Sequence, residues 1–252
     1  MKNPSFFFWP KLALRELLNN RRFSLFFLFN LALGLAGFIA LESFKESLDT
    51  HLGRNSQAIL GADIALTSYV PFEEKTLNIL ESQLPDNTLS TRKISLFTMV
   101  ATKDQSRLVQ VTGIEQDYPF YGKMILKNVG SVDPAKLKQS LDLSGEAWVY
   151  PELLYMLELN AGEYIKIGEQ SFRIADSVIV DPSSSFSSFG LAPRIYLGYS
   201  HMEETALLTK KSRVSHQRLY RVPEGTDFSG LVDKLQKQIN KLDGSDSKIR
   251  IL

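Results

Sequence analysis

One stretch of this chain has no charged residue for nineteen positions and differs from everything after it. It runs from Phe23 to Leu41, is preceded by Arg21 and Arg22, and is followed by Glu42. A helix of that length is about 28 Å long at ~1.5 Å per residue, close to the ~30 Å hydrocarbon core of a bilayer. The pattern therefore predicts a transmembrane helix over 23–41.

The predicted membrane helix has a large apolar half and a half of small or polar residues when it is plotted at ~100° per residue. The second half contains Asn30, Ala32, Gly34, Ala36, Gly37 and Ala40. Small residues let helix backbones approach closely, and an asparagine inside a bilayer favours a hydrogen-bonding neighbour. This face predicts packing against other membrane helices, and a simple anchor is the alternative. No later segment approaches eighteen apolar residues, so we expect those helices in another chain or in a continuation after Leu252.

Helical spacing continues on both sides of this segment. After Glu42 it is carried by Phe44, Leu48, Leu52 and Ile59. It predicts that 42–60 extends outward as a stalk helix, which Gly61 ends. Before the membrane helix, four leucines beside Arg15 and Glu16 predict a short amphipathic helix over 11–20, within a cytoplasmic segment 1–22.

Alternating apolar and polar positions predict an α+β domain over 61–252. Its first part reads as strand 63–68, helix 71–84 and strands 90–102 and 107–115, and its last part as strand 216–222, helix 228–242 and strand 248–252. The section between them predicts a strand and helix within 146–159, strands at 163–167, 171–180 and 194–199, a serine-rich loop at 181–190 and a short helix at 201–208. We therefore expect 61–115 and 213–252 to form one layer, with 116–212 as a β-rich insertion.

Charge predicts the orientation of the chain in the membrane. The residues before the helix include the bases Lys2, Lys11, Arg15, Arg21 and Arg22 and one acid, Glu16. The positive-inside rule then places the N-terminus in the cytoplasm and the bulk of the chain outside an inner membrane that it crosses once. Residues 43–252 contain 24 basic and 26 acidic residues, and no basic stripe that would bind nucleic acid.

A cleaved signal peptide is the alternative to a retained membrane helix. The basic leader is 22 residues long, and the nineteen-residue apolar segment exceeds the 7–15 residues typical of a signal peptide. No A-x-A site closes the apolar segment. These features favour a helix that stays in the membrane.

The sequence offers little for catalysis. His51, His201 and His216 lack the spacing of a helical metal site, and there is no nucleotide-binding or G-x-S-x-G motif and no cysteine. The serines at 183–188 lie near Asp181, but a serine-rich segment is usually only a loop. We expect no enzyme activity, no metal and no cofactor, and a membrane-anchored hydrolase is the weakest alternative.

Several short motifs resemble those of the FtsX/MacB-like ABC transporter permeases, the type VII or mechanotransmission class. The similar segments are 12–17 with 22–26, 60–64, 152–167, 192–195 and 211–214. The motif residues that we single out are Gly61, Ala62, Asp63, Pro193, Arg194, Ser212 and Arg213. The last two segments are similar to the subgroup of large, ten-helix permeases that are encoded beside a lipase-like esterase. The order and spacing of the motifs cover essentially the whole chain.

The resemblance implies a MacB-like periplasmic core, with a porter-like subdomain (61–115 and 213–252) and a sabre-like insertion (116–212). ATP would be bound by a partner ABC subunit, and the chain would transmit that subunit's motion to a lipid, lipoprotein or other envelope protein. The implied partners are that ATPase, other permease helices or a second permease half, membrane lipid, and an esterase or lipoprotein in the periplasm.

The chain departs from the family in length, because members carry at least four membrane helices and this sequence shows one. A truncated or split permease is the expectation. The alternative is a single-pass, membrane-anchored binding module that works without an ATPase.

Overall fold

The structure is a computed structural model that describes residues 21–102, 105–182, 192–209, 212–242 and 249–251, without the side chains of 23, 46–56, 58 and 59. The predicted amphipathic helix at 11–20 and most of the serine-rich loop lie outside the described residues. The chain divides between Arg54 and Asn55 into two compact units.

The first helix, α1, runs from Arg21 to Leu60 and ends at the position that the sequence predicts. Its segment Ser24–Lys45 is long and apolar enough to cross a membrane, and it is the one such segment among the described residues. The amide of Gly61 donates to the carbonyl of Gln57 at 2.8 Å, and Gly61 then leaves the helix with a φ of +69°. A positive φ costs glycine little, so the residue type explains where the helix stops.

The second unit is built largely from one mixed sheet. Its strands in the described residues are β1 Ile64–Ser68, β2 Leu89–Ala101, β3 Ser106–Ile114, β4 Ile125–Leu126, β5 Gly130–Ser131, β6 Glu146–Val149, β7 Tyr164–Ile167, β8 Gln170–Val180, β9 Arg194–Gly198, β10 Ser215–Arg221 and β11 Arg250–Ile251. The helices are α2 Glu74–Glu81, α3 Pro134–Leu137 with a π-helical turn Lys138–Leu143, α4 Pro151–Leu157 and α5 Phe228–Leu242. A 3-10 turn, Tyr199–Met202, follows β9. The predicted α+β class is confirmed.

The strand order explains how the domain is organised. The described strands pair in the order β11-β1-β10-β2-β3-β9-β6-β8-β4-β5, and β7 pairs with both β2 and β8. Strands β2, β3, β9, β6, β8 and β7 therefore close into a ring, whereas β11, β1 and β10 extend from one side of it. The thirteen-residue β2 belongs to both parts, because it pairs with β10 as well as with β3 and β7.

Apolar side chains fill three clusters. One combines alternate residues of the ring strands with α4, including Leu96, Val111, Ile174, Ile195 and Leu153. Another packs α2 and α5 on β1 and β10, through Leu80, Leu235, Ile64 and Tyr220. The third lies between the sheet and residues 118–141, and includes Tyr118, Leu141, Trp148 and Tyr196. The division into porter-like and sabre-like subdomains stays a prediction, although β2 and β3 share a core with strands of 116–212.

Two predicted helices differ from the structure. The helix expected at 201–208 is wrong: after Met202 the chain turns, because the Thr205 hydroxyl donates to the Met202 carbonyl at 2.7 Å and accepts from the Leu207 amide. The helix expected at 71–84 is α2, which ends at Glu81, where the Ser82 hydroxyl donates to the Ile79 carbonyl. Both side chains offer the backbone local hydrogen bonds that compete with a longer helix.

Candidate functional site

The small face of α1 is open in the described structure. A Cβ atom added at Gly34 or Gly37 would have no neighbour within 4 Å, and the side chains of Ala32, Ala36, Ala40, Arg21 and Arg22 are exposed. Asn30 donates from Nδ2 to the Phe26 carbonyl at 2.9 Å, one turn earlier. The packing role of this face stays a prediction.

The motif Gly61-Ala62-Asp63 lies at the end of α1, directly before β1. A Cβ atom at Gly61 would lie 2.9 Å from Cβ of Pro119, and the Gly61 carbonyl accepts from the Phe120 amide at 2.8 Å. Ala62 is fully buried. The motif therefore requires small residues, because the 118–121 loop packs directly on it.

Asp63 is a buried carboxylate that joins three parts of the domain. Its Oδ1 accepts from Nε2 of Gln57, in the last turn of α1, at 2.8 Å. Its Oδ2 accepts from the Tyr121 hydroxyl and from the Val222 amide, both at 2.9 Å. Burial, and then the bond to Asp63, raises the pKa of Tyr121, which keeps this hydroxyl a donor. We refer to Gln57, Asp63, Tyr121 and Val222 as the Asp63 junction.

The other two motifs meet at one depression on the sheet, which we call the basic groove. It has a volume of about 470 Å³. Its lining includes the cations Lys93, Arg194 and Arg213, the hydroxyls of Ser95, Thr112 and Ser215, the amides of Gln110 and Gln217, and the rings of Tyr69 and Phe97. Arg194 and Arg213 are nineteen positions apart in the sequence, and the pairing of β9 and β10 to the β2–β3 hairpin brings both to this groove.

Strand register explains the order of residues in the basic groove. Phe97 is opposite Gln110, which is opposite Arg194, so the three form one row across β2, β3 and β9. The next row holds Ser215, Ser95 and Thr112. Side chains that are paired across strands point to the same face. The groove therefore has a floor of hydroxyl and amide groups with cations around it.

A buried hydrogen-bond cluster lies beside the groove. Asp181 Oδ2 accepts from Nη1 of Arg194 at 2.7 Å, from the Tyr150 hydroxyl at 2.8 Å and from the Tyr196 hydroxyl at 2.5 Å. Nε of Arg194 donates to Oε1 of Gln110 at 3.0 Å. The side chain of Asp181 is 1% exposed and that of Arg194 is 13% exposed. We call Asp181, Arg194, Tyr150 and Tyr196 the Asp181 cluster.

Burial fixes the protonation states in the Asp181 cluster. It raises the pKa of Tyr150 and Tyr196 above the usual value, and the negative charge of Asp181 raises both further. Burial alone would lower the pKa of Arg194, but Tyr196 and Asp181 raise it overall. Both tyrosines therefore remain donors and Arg194 keeps its charge at physiological pH.

Other motif residues and His201 have structural contacts, and the side chain of His51 lies outside the described residues. The Pro193 carbonyl accepts from the Gln110 amide at 3.0 Å, and the Ser212 hydroxyl bonds that of Thr209 at 2.8 Å. His201 contacts the Asp142 carbonyl and the Glu204 carboxylate, and burial lowers the pKa of His216. Among the described residues, no three His, Cys, Asp or Glu side chains are placed to hold a metal.

The raised pKa of His201 predicts that the stability of the domain depends slightly on pH. Burial alone would lower its pKa, but the Asp142 carbonyl and Glu204 raise it above the usual 6.5. The stabilisation is therefore complete below about pH 6.5 and is lost as the pH rises through the higher folded-state pKa. We expect thermal unfolding to show His201→Gln destabilised by at most about 1 kcal/mol at pH 6, with the difference shrinking towards pH 8. A difference that grows with pH would contradict this assignment.

Sequence reasoning did not identify the Asp63 junction partners, Lys93, Phe97 or the Asp181 cluster as a group. The alternation of the polar residues Lys93 and Ser95 with the apolar Ile94 and Leu96 in β2 was the available signal. Their alignment with β9 and β10 depends on pairing between strands that are distant in sequence, which no local pattern gives.

A known protein is similar to this chain in sequence. The chain is 27% identical over 185 residues to YbbP of Escherichia coli (strain K12), described as an uncharacterized ABC transporter permease. The chain resembles an ABC transporter permease. The match covers 73% of this chain and 22% of that relative, so the chain spans about a fifth of its length. This confirms the recognition of an ABC transporter permease made from the motifs. No protein-family model matches the chain.

Two solved structures match part of this chain with TM-scores just under 0.5. One is the extracellular domain of the noncanonic ABC-type transporter YknZ from Gram-positive bacteria, with 12% identity and a TM-score of 0.49 over 75% of this chain and 99% of that one. Another is the periplasmic region of MacB from Actinobacillus actinomycetemcomitans, with 15% identity and a TM-score of 0.48 over 77% and 91%.

Proposed function

We propose that this chain is a permease component of an FtsX/MacB-like ABC transporter. It couples ATP hydrolysis by a cytoplasmic partner subunit to conformational work on a lipid, lipoprotein or other envelope protein outside the inner membrane. The observation that carries this proposal is the 185-residue similarity to an ABC transporter permease. The apolar segment Ser24–Lys45 supports it, because a permease has to cross the membrane.

The proposed mechanism assigns a role to each part of the chain. ATP is bound by the partner subunit, and the small face of α1 packs on other permease helices. The last turn of α1 is bonded to the outer domain through the Asp63 junction. A displacement of that turn therefore acts on β1, on the start of the segment after β10 and on the 118–121 loop together.

Isolation of the full chain with its partners tests the transporter proposal. We expect the tagged chain, expressed in its source organism and purified in mild detergent, to bring down an ATP-binding ABC subunit in stoichiometric amount. Recovery of the chain without any ATPase would contradict the proposal and favour the membrane-anchored binding module. The same preparation would reveal an esterase or lipoprotein partner.

The orientation proposed for the chain predicts a labelling pattern that single cysteines can test. The native sequence has no cysteine, so Lys237→Cys on α5 and Lys2→Cys near the N-terminus each give one reactive thiol. We expect a membrane-impermeant maleimide to label the Lys237→Cys protein in intact spheroplasts and the Lys2→Cys protein only after lysis. The reverse pattern would contradict the proposed topology.

A further inference from the structure

We propose that the basic groove binds an anionic amphiphile, with its charged head between Lys93, Arg194 and Arg213 and its alkyl chain along the neighbouring apolar face of the β2–β3 hairpin. The inference deepens the proposed function and rests on it for biological meaning, since it names the ligand class on which the outer domain acts. The binding itself can be measured without a transporter.

The charge of the basic groove selects an anion. Among the described residues that line it there are three cations and no carboxylate. Lys93 contacts the ring and hydroxyl of Tyr118, and the Arg213 guanidinium lies 4.8 Å from the centre of the Tyr69 ring. The described contacts of these two cations are therefore with aromatic side chains, which leave their charge uncompensated. Arg194 lies on β9, across the sheet from Arg213, and its charge is balanced by Asp181, so the net positive charge of the groove comes from Lys93 and Arg213.

The floor of the groove suits an oxyanion. The hydroxyls of Ser95, Thr112 and Ser215 lie in one row, and each can donate to a phosphate oxygen. Arginine and lysine side chains bind phosphate groups through charge-assisted hydrogen bonds. A head group with several anionic oxygens would use both sets of donors.

An exposed apolar strip begins at the edge of this groove. Phe97 lines the groove and is 56% exposed. Met99 lies two residues further along the same face of β2, and Leu108 is opposite Met99 on β3. Met99 is 55% exposed and Leu108 is 43% exposed. The strip therefore continues from the cations along the hairpin, where an alkyl chain would cover it.

The combination of the two surfaces determines the class of ligand. An inorganic anion would use the cations and leave the apolar strip in water. A nucleic acid would need a basic stripe that continues along the surface, whereas this groove continues into apolar side chains. A phosphate-bearing lipid has both parts in the required order.

Binding of octyl phosphate tests the proposal on the full chain, reconstituted in phosphatidylcholine nanodiscs with empty nanodiscs subtracted. Inorganic phosphate supplies the head alone, and octyl glucoside supplies the chain alone. We expect octyl phosphate to bind about tenfold more tightly than either, by isothermal titration below the micellar concentration. Equal affinity for octyl phosphate and inorganic phosphate would reduce the groove to an anion site and overturn the proposal.

Matched variants locate the site. We expect Lys93→Gln combined with Arg213→Gln to weaken octyl phosphate binding about tenfold, and Phe97→Ser to weaken it about fivefold with no change for inorganic phosphate. Lys237→Gln and Phe228→Ser repeat the lysine and the phenylalanine changes on α5, away from the groove, and should bind as wild type. If the groove variants unfold at the same temperature as the wild-type protein, they are folded. Undiminished binding by folded groove variants would overturn the proposal.

The two proposals can fail separately. If the chain co-purifies with an ATPase but does not bind octyl phosphate, the transporter proposal stands and the ligand-site proposal is overturned. If the chain binds octyl phosphate through the groove but no ATPase co-purifies with it, the ligand-site proposal stands and the transporter proposal is overturned.

Discussion

Asp63→Ala is expected to lower the free energy of unfolding of the outer domain by about 2–4 kcal/mol, whereas Asp63→Asn is expected to lower it by less than about 1 kcal/mol. The alanine variant removes one buried carboxylate that accepts from Gln57, Tyr121 and Val222. The Val222 amide, which cannot rotate away as the two side chains can, would lose its acceptor. Hydrogen bonds to a charged group are individually stronger than neutral ones, so their loss together is large.

The asparagine variant separates geometry from charge at this junction. Its amide oxygen can occupy the place of Oδ2 and still accept from Tyr121 and Val222. Its amide nitrogen then takes the place of Oδ1 and can donate to Oε1 of Gln57, once that side-chain amide has turned over. All three contacts are retained, so the variant should remain close to wild type.

Thermal unfolding of the full chain in detergent, followed by near-ultraviolet circular dichroism, measures both effects. For an outer domain of about 200 residues, we expect the unfolding temperature to fall by roughly 5–15 °C in Asp63→Ala. Tyr121→Phe, which removes one donor, should lose about 1 kcal/mol. Equal losses in the alanine and asparagine variants would show that the negative charge, and not the three hydrogen bonds, is what the junction requires.

Local patterns in the sequence identified most elements of the fold, because each depends on nearby residues. The apolar spacing of α1, the alternation of β8 and the proline-led start of α4 are properties of short segments. The helix predicted after His201 failed for the same reason. The pattern was helical, but the Thr205 hydroxyl and a positive φ at Ala206 turn the chain.

The ring of strands and the basic groove could not be predicted in this way. The ring closes through one pair, Ala101 with Lys166, and the groove depends on the parallel pairing of β3 with β9. Such contacts join segments that are 50 or more residues apart, and their register is set by packing of the whole core. Motif resemblance did select Arg194 and Arg213 individually, and it could not show that they line one groove.

Asp181→Ala is expected to destabilise the outer domain by about 3–5 kcal/mol, the most among the substitutions considered. The carboxylate is buried and holds the Arg194 guanidinium and the hydroxyls of Tyr150 and Tyr196 on one oxygen. Tyr196 is fully buried, so water cannot replace the lost acceptor there. Arg194 is partly buried, and a partly buried cation that loses a counter-charge is destabilising because its desolvation is less well offset.

A series of variants distinguishes the charge from the hydrogen bonds in this cluster. Asp181→Asn keeps an acceptor oxygen but no charge, and we expect it to lose less stability than Asp181→Ala. Tyr150→Phe removes a single donor and should cost about 1 kcal/mol. Asp233→Asn on the exposed side of α5 is the matched control and should change stability by less than about 0.5 kcal/mol.

Urea unfolding of the full chain in detergent, followed by tryptophan fluorescence, measures the series, because Trp148 lies in the same buried cluster as Tyr196. If Asp181→Ala and Asp233→Asn unfold at the same urea concentration, the carboxylate does not hold this part of the core. Other contacts of Arg194, such as that with Gln110, would then be enough to position it. If stability decreases from wild type to Asp181→Asn and again to Asp181→Ala, both the charge and the acceptor oxygen of Asp181 contribute. In that case the buried Asp181 holds Arg194 in its position at the basic groove.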